Sequence, residues 1–202
     1  MNERLYLLKI RLVGIKPEIW RRFVVPAYIT LDRLHDVIQI VMGWDDYHLH
    51  QFTIAEKRYT EDPESREDGL EDGRYRLVDL IKKKGVTFGY LYDFGDSWEH
   101  EVMIEDSRYS NPELQFPIEC LDGARACPPE DVGGFPGYHE FCKALKDPTH
   151  EEHKSLKEWW SGFHRDEGDF DRERFDIEIV NDELLKYMRW ARDRFRPWQE
   201  RP

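Results

Sequence analysis

Along this chain the spacing of apolar residues changes from every second position to every third or fourth, and that change narrows the possible folds more than any other feature. Tyr6, Leu8, Ile10 and Leu12 alternate with Leu7, Lys9 and Arg11, as in a strand with one buried face. Gly14 to Pro17 supplies turn chemistry, and Ile19 to Val25 reads as the hairpin partner, stopped by Pro26. Thr30 stands where an N-cap belongs, before a helix predicted from Leu31 to Met42. Its apolar face is Leu31, Leu34, Ile38 and Val41, with Gly43 as C-terminal cap. Strand patterns return at His48 to Ala55, Val86 to Tyr92 and Trp98 to Glu105, with a fainter one at Leu114 to Cys120. Glu56 to Gly73 carries Pro63, Gly69 and Gly73 and is expected to be a solvated loop, followed by a short helix from Leu77 to Ile81.

Past that point the period is helical. Helices are predicted at Tyr138 to Leu145, at Glu151 to Trp160, and beyond an N-cap at Asn181, the last with Leu184, Met188, Ala191 and Phe195 on one stripe. Strands first, one early helix and helices last describe the α+β class: a mainly antiparallel sheet with helices packed on one face. At 202 residues the chain suits a single domain spanning 1–202.

Charge limits the choice of partner. The net charge is −12, from 42 acids against 30 bases, so indiscriminate binding to a nucleic-acid duplex is disfavoured. Residues Lys186 to Pro202 nevertheless carry six bases and two acids among Trp190, Phe195 and Trp198, leaving a local basic contact open. Met1-Asn2-Glu3-Arg4 lacks a signal-peptide pattern, and no apolar run reaches the ~20 residues of a membrane span. Three cysteines, Cys120, Cys127 and Cys142, read as reduced thiols in a cytoplasmic protein.

Two constellations carry chemistry. The first is Tyr92-Asp93-Phe94-Gly95-Asp96-Ser97-Trp98-Glu99-His100, a turn between two strands. Strand parity puts His100 on the apolar face with Trp98, Val102 and Ile104, where its ring needs a partner; Asp93 and Asp96 are nearest in sequence. His48 and His50 share a face with Phe52 and Ile54. Three histidines facing one interior near two aspartates allow metal binding or acid–base chemistry, while each residue also has a structural reading as turn former or core imidazole. The second constellation runs from Cys120 to Tyr138, and within it Pro128-Pro129 stiffen and Gly133-Gly134 bend the backbone around the adjacent carboxylates Glu130-Asp131. Rigidly presented carboxylates suit a divalent cation or a cationic partner, or they shape the loop by accepting amides.

These motifs, together with Leu34-His35 through Gly43-Trp44, His48-Leu49-His50-Gln51-Phe52 and Gly137-Tyr138, resemble the plasmid pRiA4b open-reading-frame-three-like family over nearly the whole chain. The resemblance implies one α+β domain and a link to plasmids and transposon-like elements, with no activity established for the family. Many members carry Cys where this chain has Val132, which argues against a cysteine-centred mechanism here.

The chain therefore reads as a cytoplasmic binding or accessory module without catalysis, serving a protein or nucleic-acid partner. The alternative is a metal-dependent hydrolase acting on phosphodiesters, with Asp93, Asp96, His100, Glu130 and Asp131 holding a divalent ion that activates water. The alternative requires Glu130-Asp131 to fold back onto the Asp93 turn.

Overall fold

The period-two segments form β1 (Leu5–Leu12), β2 (Trp20–Pro26), β3 (His50–Ile54), β6 (Thr87–Tyr92) and β7 (Trp98–Tyr109). Three short strands, β4 (Lys57–Thr60), β5 (Leu70–Glu71) and β8 (Glu119–Ala124), complete one sheet. Its order is β5-β4-β3-β6-β7-β1-β2-β8, antiparallel throughout except for the β4–β5 pair. The helices are α1 (Leu31–Met42), α2 (Leu77–Leu80), α3 (Gly134–Lys146), α4 (His153–Phe163) and α5 (Ile177–Trp190). The computed structural model describes residues 4–65, 68–163 and 168–190. No described helix is long and apolar enough to cross a membrane. The mainly antiparallel sheet with the five helices of the described residues is the α+β architecture expected.

Alternation explains the layers. Tyr6, Leu8, Ile10 and Leu12 of β1 are fully buried, as are Val102 and Ile104 of β7, and they share the core with Leu34, Ile38 and Val41 of α1. On the opposite face the polar positions pair across strands. Arg11 and Glu101 are register partners and form an ion pair of 2.9 Å, and Arg22 grips Glu105 at 2.7 and 3.0 Å. Such half-exposed pairs are worth well under about 1 kcal/mol each, so register follows from the buried face. Thr30 occupies the N-cap position of α1, but its hydroxyl goes to Asp32, and Gly43 closes the helix in the left-handed region, φ 95°.

Three sequence expectations are corrected. The segment from Glu56 to Gly73 is not wholly loop: β4 and β5 lie within it, because Tyr59 is buried edge-on against Tyr75 and the Asp72 carboxylate is buried on His50. Its acidic composition hid those two inward side chains. The faint strand at 114–120 begins only at Glu119, since Pro117 has no amide for a ladder and Phe116 is exposed. Asn181 is not a cap. Helix α5 begins at Ile177, where Asp176 Oδ1 accepts the amides of Glu178 and Ile179 at 3.1 and 3.2 Å. Asn181 instead exchanges two hydrogen bonds with the Cys120 backbone, 2.8 and 2.9 Å, clamping α5 to the edge strand β8. Asn181→Ala is expected to cost about 1–2 kcal/mol in urea unfolding, because both Cys120 groups lose their partner. In the stripe predicted for this helix, Leu184 is fully buried and Met188 packs against the core; Ala191, Phe195 and the basic tail lie outside the described residues.

Candidate functional site

Three loops meet at one end of the sheet. The first follows α1 and runs from Trp44 to Leu49; the second is the β6–β7 turn; the third is Pro128 to Gly134, leading into α3. Backbone needs tie them together. The Trp44 indole donates to the Pro128 carbonyl at 3.0 Å, and the Asp45 amide donates to Glu130 Oε1 at 3.1 Å. The Tyr92 hydroxyl donates to the same Glu130 oxygen at 2.9 Å and accepts the Tyr47 amide at 3.1 Å. The Asp93 amide donates to the Leu49 carbonyl at 3.0 Å, and the Gly133 amide donates to Asp96 Oδ2 at 3.0 Å.

Within this frame Glu130 and Asp131 do fold back onto the Asp93 turn. His48 Nε2 lies 3.7 Å from Asp93 Oδ2, 3.8 Å from Glu130 Oε2 and 3.2 Å from Asp131 Oδ1. His48, Asp93 and Asp131 offer ligand atoms that all lie within 4.8 Å of one another. Both His48 Nε2 and Glu130 Oε2 are buried atoms with no hydrogen-bond partner. Asp93 and Asp131 sit in the left-handed region, φ 54° and 55°, a conformation aspartate tolerates better than most residues. Asp93 uses one oxygen for the turn, accepting the Gly95 amide at 2.8 Å, and turns the other toward His48. Burial pushes the Glu130 carboxyl above its usual range, against the opposing effects of the Asp45 amide, the Tyr92 hydroxyl and His48. Asp131 is the open side of the cluster, with its side chain 71% exposed.

The other candidates go elsewhere. Asp96 holds the Gly133 amide and belongs to the loop scaffold. His100 does not reach Asp93 or Asp96; its Nδ1 faces the Tyr90 carbonyl at 3.2 Å, and its ring stands edge-on to Trp44. The reason is register. His100 pairs with Tyr90, two residues inside the Tyr92–Trp98 pair that closes the turn, which carries its ring roughly 7 Å down the strand from the turn. His50 is engaged by Asp72 at 2.8 Å and stacks on His35, ring centroids 3.5 Å apart. His35 in turn contacts Asp46 at 2.7 Å and the Tyr90 hydroxyl at 2.8 Å. His35, Asp46, Asp72 and Tyr92 are not among the site residues expected from the sequence. Tyr90 and Tyr92 carried a usable signal, since alternate tyrosines on a buried strand face bring hydroxyls that need partners. The cysteines take no part, and burial lifts the Cys120 and Cys127 thiols to about 11 and about 12.

Comparison with known proteins places this architecture in a group. Residues 4–179 match the family described as plasmid pRiA4b ORF-3-like protein. A relative from Sinorhizobium fredii, named uncharacterized protein y4hQ, is 43% identical over 154 residues, 75% of this chain and 78% of that protein. The crystal structure of the protein of unknown function MM3350 from Methanosarcina mazei superposes with a TM-score of 0.75 at 35% identity, covering 88% of this chain and 98% of that one. On the length of the family match and the identity of the relative, this chain belongs to the plasmid pRiA4b ORF-3-like family.

Proposed function

We propose that this protein is a binding module whose working centre is a divalent-cation site formed by His48, Asp93, Glu130 and Asp131. One observation carries this reading: His48 Nε2 and Glu130 Oε2 are both buried without a hydrogen-bond partner, and they face each other across 3.8 Å beside two further carboxylates. Buried polar atoms are rarely left unsatisfied, and carboxylates rarely converge without a positive charge among them. A shared ion answers both needs, and the ligand atoms of His48, Asp93 and Asp131, all within 4.8 Å of one another, suit bond lengths of roughly 2.0–2.6 Å. One imidazole with carboxylate oxygens favours manganese, iron or zinc over calcium.

The test is titration of the full-length protein, stripped with chelator, with Mn²⁺ by calorimetry. Saturable binding of one ion per chain is expected, and Asp93→Asn or Glu130→Gln is expected to weaken it by about tenfold or more. Asp96→Asn should leave affinity unchanged while lowering thermal stability. Equal affinity in the wild type and in both ligand variants removes the site.

The catalytic alternative, a metal-dependent phosphodiesterase, draws support from the exposed Asp131, which leaves one side of the cluster open to water and substrate. It adds a separate requirement: turnover of bis(p-nitrophenyl) phosphate that needs Mn²⁺ and vanishes in Asp93→Asn. Stoichiometric metal binding without such turnover favours the non-catalytic module.

A further inference from the structure

Beside the cation cluster runs a cleft of about 570 Å³ that shares Glu130 and Asp131 with it and extends beyond it. Asp45, Glu130 and Asp131 form one wall, and the start of α5 at Ile179 and Val180 forms the other. Between them lie aromatic and apolar side chains, Trp159, Trp160, Phe170 and Phe175 among them. Its volume is in the range of built ligand sites and exceeds what one ion or small anion fills.

The charge of the cleft identifies the occupant. Among its described lining residues six carboxylates stand against two guanidinium groups. One of the carboxylates, Asp169, is ion-paired with Lys157 at 2.8 Å, and the remaining five still outnumber the two guanidinium groups. Arg21 donates to the carbonyls of Val41, Trp20, Ala124 and Arg125 at 2.7 to 2.9 Å. Asp171 and Asp176 accept backbone amides, contacts that leave their negative charge in place. Nucleic-acid phosphates and acidic peptides would enter against this field. An aromatic lining under a negative rim suits cations carried on apolar stems. Phe175 shows the mode within the cleft itself, with the Arg21 guanidinium 4.2 Å above its ring.

We infer that this cleft is a docking groove for an extended basic segment of a protein partner, one in which arginine or lysine alternates with apolar residues. The groove shares Glu130 and Asp131 with the cation centre, whereas His48 and Asp93 do not line it.

The experiment is fluorescence anisotropy with the full-length protein and a labelled peptide of alternating leucine and arginine. The control peptide carries glutamate in place of arginine. Saturable binding of the basic peptide is expected, with affinity at least about tenfold above the acidic one and falling as NaCl rises from about 50 to about 500 mM. The double variant Asp171→Asn, Asp176→Asn is expected to lose about fivefold or more, with its fold checked by circular dichroism; asparagine keeps the helix cap at 176. The titration is run on chelator-stripped protein, so its outcome does not depend on the cation centre. Equal affinity for both peptides, saturation by spermidine without competition from the basic peptide, or unchanged affinity in the double variant overturns the proposal.

Discussion

Replacing Gly137 with Ala is expected to destabilise the protein by about 2–3 kcal/mol, although the same change in most helices stabilises by about 0.4–1 kcal/mol. Gly137 lies in the first turn of α3, where a Cβ would stand 1.9 Å from the Val132 carbonyl oxygen and 2.8 Å from its carbon. The obstacle is backbone, so no side-chain rotation relieves it. Either the Val132 peptide moves or the helix starts later. Both displace the loop that presents Glu130 and Asp131. The melting temperature should fall by roughly 4–12 °C, and Mn²⁺ affinity should fall with it. Gly162→Ala in α4 is the control, because a Cβ there meets nothing within 4 Å. If both variants melt at or above the wild-type temperature, the close approach at Gly137 is wrong.

Stability is also expected to fall as pH drops from about 6.5 toward about 3, at up to about 1.4 kcal/mol per pH unit from His100 alone. Burial in the core holds the folded imidazole down at about 3, against an unfolded value of about 6.5. Between those values the unfolded chain binds a proton that the folded chain refuses, so acid favours unfolding. Above the unfolded value neither state is protonated, and the contribution is complete and constant. His100→Phe removes the titration and keeps an aromatic ring beside Trp44. In urea melts at pH 7 and pH 4.5 the wild type should lose about 2–3 kcal/mol more than this variant. Parallel pH profiles for the two proteins would place the acid sensitivity elsewhere.

The same residue marks how far the sequence could be read. Strand parity sufficed to put His100 inside, because side chains alternate whatever the strand packs against. It could not supply the partner, which depended on the β6–β7 register and proved to be a backbone carbonyl. The α+β order, the edges of α1 and the central strands were legible from periodicity and from Pro26 and Gly43. The β4 and β5 strands were not, because pairing lies outside the local pattern and few of the described side chains of a highly charged stretch, Tyr59, Leu70 and Asp72 among them, turn inward. At α5 two capping residues competed. Asp176 won because it precedes the first turn, which left Asn181 to clamp β8.

For the candidate site, composition and motif alone named His48, Asp93, Glu130 and Asp131 along with Asp96, His100 and His50. Turn chemistry determined that the carboxylates would be displayed on bends, as the left-handed Asp93 and Asp131 are. Which of them meet was decided by contacts remote in sequence. Trp44 bonds to Pro128 and Tyr92 to Glu130, while Gly134 packs against the Asp96 carbonyl too closely for any Cβ. Local pattern records what a residue can do one turn or one strand away. The meeting of three loops, with two buried ligand atoms between them that no hydrogen bond satisfies, exists only once the sheet has brought their ends together.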